Sequence, residues 1–338
     1  MTVQTETSAV TSKPPAAVPT WRRWIIVLAP LWTLLALGLF FSITSQTFLR
    51  PINLNNILVQ ISTLAIFGTG LTFVLLTGEI DLSVAALAGL SGMLSAHLFT
   101  NLGWPDPWAS FIGIGAATLL GLLSGLASVR FRIPTFMATL AVQLIATGLV
   151  LFISQGRVVN VTPLSDTLGT ERIGGPGGVQ ILIVVALITL LIGHLVLRYT
   201  RFGRYIYMTG ASKPAARLAG VNTDRIIIIA LTICGFTAGI AGIVHAGRVA
   251  SAQPQINGDF LIDAIGAVVL GGTSLNGGRG GIMQTVIGLL IYGTLRNGLD
   301  NIPQIDPMLK KVITGIVLLG ALVVNLLFSG KAPRDRTG

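Results

Sequence analysis

The stretch Ile61–Phe99 reads ISTLAIFGTGLTFVLLTGEIDLSVAALAGLSGMLSAHLF, two long apolar runs with TGEIDLSV at 77–84 between them. Each run approaches the roughly 20 residues that a helix needs to cross a bilayer core. Two carboxylates, Glu79 and Asp81, stand where the runs meet. Gly78 permits a sharp reversal of the chain. Asp81 is suited to cap a helix beginning at Leu82, accepting from the N–H of Ser83 or Val84. No nucleophile or metal-ligand set accompanies the two acids, so a catalytic pair has little support. Gly78, Asp81 and Ser83 are therefore assigned to a structural hinge between two spans, and Glu79 is expected to face the cytoplasmic boundary or a partner.

The rest of the chain repeats this pattern. Of 338 residues, 52% are hydrophobic and only 10% are charged, against about 25% charged in a soluble domain. The expected fold is an all-α, polytopic transmembrane helical bundle in the lipid bilayer. About ten spans are read near 24–44, 54–77, 82–100, 109–129, 134–154, 179–198, 225–247, 260–275, 281–299 and 309–328. Segments such as NLGWPDPW, RFRIP, ERIGGPGG and DNIPQIDP punctuate them. The first twenty residues, rich in Ser, Thr, Pro and Ala, are expected to be a disordered tail. Residues 21–330 form one membrane domain, and 331–338 form a second tail. No cleavable signal peptide is expected, because the first apolar run follows Trp21-Arg22-Arg23 and is long enough to span.

The net charge of +10 does not point to nucleic acid, since the basic residues lie between apolar runs and build no aromatic-basic face. Their distribution instead sets an orientation. With the N-terminus inside, fifteen Lys and Arg fall on the inner side and seven on the outer, which supports cytoplasmic termini. The weakest span is 260–275, which begins with Asp259 and Asp263 and ends in GGTSLNGGRGG. It is read as a full, short or broken helix, the last being tolerated only where it is buried in protein or lines a cavity.

Between two spans lies the longest polar connection, RYTRFGRYIYMTGASKPAARLAGVNTDR at 198–225, with six basic residues and one acid. Within it, 213–220 carries the marks of a short helix: Ser212 as cap, Pro214 in the first turn and Gly220 at the end. Ala215, Ala216 and Ala219 would give that helix a small-residue face open to another protein. A plain solvated connector is the alternative.

On TGEIDLSV at 77–84, GASKPAARLAGVNTDR at 210–225 and GRVASAQPQINGDFLIDAIGAVVLGGTSLNGGRGG at 247–281, the chain resembles the ribose-type permease subunits of bacterial ABC transporters, over roughly 50–328. The resemblance implies a multi-pass inner-membrane subunit that pairs with a second permease subunit as a homo- or heterodimer. It implies two cytoplasmic ABC ATPase subunits and a periplasmic or lipid-anchored solute-binding protein as partners. It further implies that 211–220 is the coupling helix docking into the ATPase, with Ala215, Ala216, Arg217 and Gly220 as contact positions. Two departures stand out. The family often has Gly where this chain has Ala85, and the position of Glu79 is variable and often Gly.

The chain carries no P-loop, so energy would come from another subunit or an ion gradient. Cys234 is the single cysteine, and His97, His194 and His245 fall in separate spans. No metal site or cofactor is expected, and the chain is read as a transport subunit rather than an enzyme. Candidates to line a pathway or gate are Asn56, Gln60, Gln143, Thr147, Gln253, Asp263, Thr273, Ser274 and Asn276, each with an alternative use as helix-to-helix hydrogen bonding or a cap. Asp263 in the first turn of a span would sit near free N–H groups and the positive helix end. Small residues at helical spacing, Gly121 and Gly125, Gly235 and Gly239, Ala238 and Gly242, suit close helix approach. The leading function is ATP-driven import of a monosaccharide or related solute. The alternatives are an ion-gradient secondary transporter, or a nucleoside, branched-chain amino acid or autoinducer-like cargo.

Overall fold

The structure is a computed structural model that describes residues 29–328 apart from 176 and 256–258. The tails expected at 1–20 and 331–338 lie outside the described residues. Among the described residues the architecture is helical but for one short hairpin, Arg172–Ile173 (β1) against Val179–Gln180 (β2), and an isolated antiparallel bridge between Val159 and Ala252. The helices are α1 Ala29–Thr44, α2 Pro51–Leu76, α3 Val84–Thr100, α4 Trp108–Phe131, α5 Thr135–Ser154 and α6 Pro163–Thr170. After the hairpin come α7 Ile181–Tyr199, α8 Arg201–Ala211, α9 Lys213–Leu218, α10 Thr223–Arg248, α11 Asp259–Leu270, α12 Ile282–Asp300 and α13 Pro307–Phe328.

Every range read as a span carries a helix, yet the helices are unequal. Among the described residues, five are long and apolar enough to cross a membrane: α2, α4, α5, α7 and α10. The apolar helices α1 and α3 are shorter, at 16 and 17 residues. The range 260–275 contains only the 12-residue α11, about 18 Å at 1.5 Å per residue. That falls short of a bilayer core of about 30 Å. The chain then runs through an irregular stretch, 271–281, before α12 begins.

Local chemistry sets the ends. Pro51 opens α2, where its missing N–H costs nothing. Arg132, in the left-handed conformation, closes α4 ahead of Pro134, and α5 starts directly after that proline.

Two helices form the centre. The most apolar windows of α2 and α10 are 83% and 67% buried, whereas those of α4, α5 and α7 are 28–33% buried and turn Leu, Ile and Phe side chains outward. A soluble protein could not leave Leu144, Ile145 and Phe152 of α5 and Leu187 and Leu191 of α7 exposed; lipid is the solvent that matches them. Small residues let the centre close. Gly121 and Gly125 of α4 pass directly over Gly235 and Ile228 of α10, and Gly242 of α10 meets the Ala88 backbone of α3. The small-residue pairs thus serve packing within the chain.

α2 and α12 run antiparallel. Asn53 bonds Asn297 at 2.8 Å near one end, and Thr72 bonds Thr285 at 2.6 Å near the other. α1 joins them through Phe41, which rests on Gly298 and packs with Phe48, Ile57, Leu295 and Leu299.

Candidate functional site

Three connections converge at the Leu76 end of α2: the turn 77–83, the end of α8 and the loop 271–281. The Gly278 N–H donates to Leu76 O at 2.9 Å, and Tyr207 Oη donates to Gly280 O at 2.9 Å. Gly78, at φ 78°, Gly210 and Gly277 approach so closely that a Cβ on Gly277 would lie 2.7–2.9 Å from backbone of the other two. Burial raises the Tyr207 phenol above its ordinary pKa.

The hinge differs from its expectation in one respect. Ser83, not Asp81, occupies the N-cap position, and α3 begins at Val84 rather than Leu82. Asp81 Oδ1 accepts from the Ser83 N–H at 2.8 Å and from Ser83 Oγ at 2.6 Å, closing a local turn. The Asp81–Ser83 turn thus takes up two residues, Leu82 and Ser83, that were expected to be helical. Nor does Asp81 lie at a wet boundary: it is fully buried, beside the Cys234 thiol of α10. Burial pushes its carboxyl above the usual range, and the Ser83 bonds oppose that shift.

Glu79, two residues earlier, is a junction. Its carboxylate takes the Lys213 ammonium on one oxygen and the Thr135 hydroxyl on the other. Lys213 is the first residue of α9 and Thr135 the first of α5. The turn is fastened to α5 a second time, by the Leu82 N–H donating to Thr139 Oγ1 at 3.1 Å.

The short helix α9 forms where its capping signals predict. Ser212 Oγ accepts from the Ala215 N–H at 3.3 Å, Pro214 occupies the first turn, and Gly220 follows the end at φ 81°. Arg217 ties α9 to the start of α10, donating to Thr223 Oγ1 and Asp224 Oδ1, both at 2.8 Å. Ala216 is buried beneath the helix, while Ala215, Ala219 and Leu218 are exposed, Leu218 by 91%. α9 therefore presents the apolar Leu218 on the surface, on the same short helix as Lys213 and Arg217.

On the membrane side, a cleft of about 190 Å³ opens between α3, α5 and α11, lined by Ala85, Ala86, Gly89, Gln143, Thr147, Val150, Pro254, Gln255 and Leu261. Of the polar candidates, Gln143 and Thr147 meet here. Gln253 lies on a neighbouring void of about 10 Å³ with His245, at the limit for one water. Thr273 and Ser274 belong to the 271–281 loop, where Ser274 N–H donates to Arg279 O at 3.0 Å. Asn276 lies there too, its carbonyl against Gly78. Asn56 is exposed on the first turns of α2, and Gln60 is half-buried one turn further on.

Asp263 stands elsewhere. Asp259 begins α11, so Asp263 lies one turn inside and cannot use the free N–H groups of the helix start. A cation meets it instead: Arg296 of α12 at 3.1 Å, as Lys311 of α13 meets Asp259 at 2.6 Å. These pairs edge a second cavity of about 350 Å³ between α11, α12 and α13. Sequence reading missed Gln255, Thr135 and the partner of Glu79. The only signal was that 198–225 is basic and Glu79 acidic.

Comparison with known proteins gives this geometry its context. Residues 53–322 match the family described as branched-chain amino acid transport system / permease component. The ribose import permease protein RbsC of Escherichia coli K12 is 38% identical over 307 residues, 90% of this chain and 95% of that protein. RbsC of Bacillus subtilis 168 is 35% identical, covering 88% and 92%. The fructose import permease protein FrcC of Rhizobium meliloti is 32% identical, covering 92% and 85%. A match of this extent, on a helical chain with five helices apolar and long enough to cross a membrane, makes the protein a member of the branched-chain amino acid transport system / permease component family.

Proposed function

We propose that this chain is the transmembrane permease subunit of an ATP-driven importer and forms half of a translocation pathway for a monosaccharide delivered by a binding protein. The observation that carries the reading is likeness to sugar import permeases over about nine-tenths of the chain. In this reading α11 and the 271–281 loop together traverse the membrane, giving ten passages with both termini cytoplasmic, as the fifteen-to-seven distribution of basic residues favours. The end bearing α8 and α9 is then cytoplasmic.

The mechanism follows from the connections. Two ATPase subunits close on ATP and displace α9, whose exposed Leu218 and small residues fit a groove on such a partner. α9 cannot swing freely, because Arg217 holds it to α10 and Lys213 to the 77–83 turn. The motion therefore passes into the bundle and changes access to the cleft of α3, α5 and α11. Gln143, Thr147 and Gln255 offer the cargo hydrogen bonds without a charge that would hold it. A second permease subunit supplies the other wall.

The test is reconstitution with the ATPase and binding protein in proteoliposomes. ATP-dependent uptake of D-ribose, D-fructose or D-allose is expected, with leucine failing to compete. Gly220→Pro should abolish that uptake while the protein stays in the membrane, because proline cannot adopt φ 81° and removes the N–H that donates to Arg217 O at 3.0 Å. Uptake driven by an ion gradient without ATP would overturn the reading, and unchanged uptake by Gly220→Pro would remove the role of α9.

A further inference from the structure

The permease reading assigns Glu79 no task, yet its surroundings define one. We propose that Glu79 is the positioning residue through which α9 moves two walls of the cleft, the small-residue wall of α3 and the Gln143–Thr147 wall of α5, a proposal that rests on the permease reading above. The argument starts from three helix starts. Lys213 begins α9, Thr135 begins α5, and α3 begins at Val84, five residues after Glu79. One carboxylate, its side chain only 13% exposed, binds the first two directly and belongs to the turn that leads into the third. α3 and α5 are the helices that give the cleft Ala85, Ala86, Gly89, Gln143, Thr147 and Val150.

The turn between Glu79 and α3 is stiff. Asp81 accepts twice from Ser83, and Thr139 holds the Leu82 N–H. Gly78 is wedged against Asn276 and Gly277. A displacement of Glu79 is thus handed on to α3 and α5 rather than absorbed by slack. The second tether of α9, Arg217 to Thr223 and Asp224, leads to α10, which contributes no residue to this cleft. Among the described residues, Glu79 is the one residue hydrogen-bonded both to α9 and directly to a cleft-wall helix; the route through α10 reaches α3 only at a further step, where Ser91 Oγ donates to Gly239 O at 2.9 Å. Its chemistry suits the task. An apolar contact transmits a push, whereas a partly buried, charge-assisted bond also resists a pull, so both strokes of an ATP cycle can pass through it.

The test is a labelling measurement on the assembled complex, which needs no identified cargo. Cys234 is buried, so a membrane-impermeant maleimide reports a cysteine introduced as Gln143→Cys. With Glu79 intact, ATP with vanadate should change the labelling rate. In Glu79→Ala that ATP-dependent change should shrink by at least roughly fivefold, the lower end of typical coupling between sites. ATPase subunits should remain bound, as size-exclusion chromatography will show. The exchange Glu79→Lys with Lys213→Glu should restore the change, since the Thr135 hydroxyl can accept as well as donate. A purely structural Glu79 would lower melting temperature or assembly but leave the ATP-dependent ratio intact. Persistence of the full change in Glu79→Ala, or failure of the exchange to restore it, overturns the proposal. If the intact protein shows no ATP-dependent change at all, the permease reading fails and takes this proposal with it.

Discussion

Gly242 offers a direct measure of how tightly the bundle sets its cleft. A Cβ built there would lie 2.1 Å from Ala88 O and 2.9 Å from Ala88 Cα. The shorter distance falls about 1.3 Å inside ordinary van der Waals contact. Both contact atoms are backbone, so no rotamer change relieves the clash and α3 must move away from α10. Overpacking of this kind costs about 1–3 kcal/mol. The gain in helix propensity of alanine over glycine, up to about 1 kcal/mol, offsets part of it. Because the clashing atoms are backbone the cost falls in the upper part of that range, about 2–3 kcal/mol, and the expected net loss for Gly242→Ala is about 1–2 kcal/mol. Gly148 on α5 is the matched control: it is exposed, and a Cβ there meets nothing within 4 Å. Thermal unfolding in detergent should show Gly242→Ala melting lower and Gly148→Ala melting at or above the parent. Uptake should fall as well in Gly242→Ala, because Ala85, Ala86 and Gly89 ride on the displaced helix. An unchanged melting temperature with unchanged uptake would refute the claim that this crossing fixes the cleft.

Two further outcomes follow from single contacts. Asn297→Leu removes one of the two acceptors of the buried Asn53 amide, at 2.8 Å, leaving only Phe48 O, while Asn301 keeps Asn53 Oδ1 and Asn297 O; it should lower stability by about 1–3 kcal/mol, the cost of a buried donor N–H that loses its partner, read by thermal shift. Gln143→Trp should fill much of the cleft of about 190 Å³ and reduce uptake strongly, while ATPase subunits still co-purify with the protein.

How much of this was legible in the sequence depends on the range of the interaction. Helix positions were, because composition and Gly/Pro punctuation are local: α2, α4, α5, α7 and α10 fall within a few residues of their expected limits. The capping of α9 was legible for the same reason, as Ser212, Pro214 and Gly220 act within one turn. What escaped was pairing across the fold. Glu79 and Lys213 are 134 residues apart, and Asp263 finds Arg296 33 residues on. The polar residues offered as one pathway were equally beyond reach. Gln143 and Thr147 share a face of α5 and reach the cleft together, whereas Thr273 and Ser274 come after the end of α11 and turn to the 271–281 loop. The length of α11 decided that, and apolar composition alone could not report where the helix stops.

The two carboxylates of TGEIDLSV divide the work of the turn by their distance from a cation. Asp81 has no salt-bridge partner among the described residues and is fully buried; its Oδ1 is spent on Ser83 of the same turn, and its Oδ2 has no hydrogen-bond partner among the described residues. Such a residue can shape a turn but has no partner elsewhere to move with. Glu79 keeps part of its side chain in solvent and gives both oxygens to other helices. Full burial without a charged partner and partial burial with two partners are different solutions to the cost of a charge near the membrane. The first yields a rigid hinge. The second couples that hinge to α9, and rigidity at Asp81 is what lets a displacement at Glu79 arrive at the cleft.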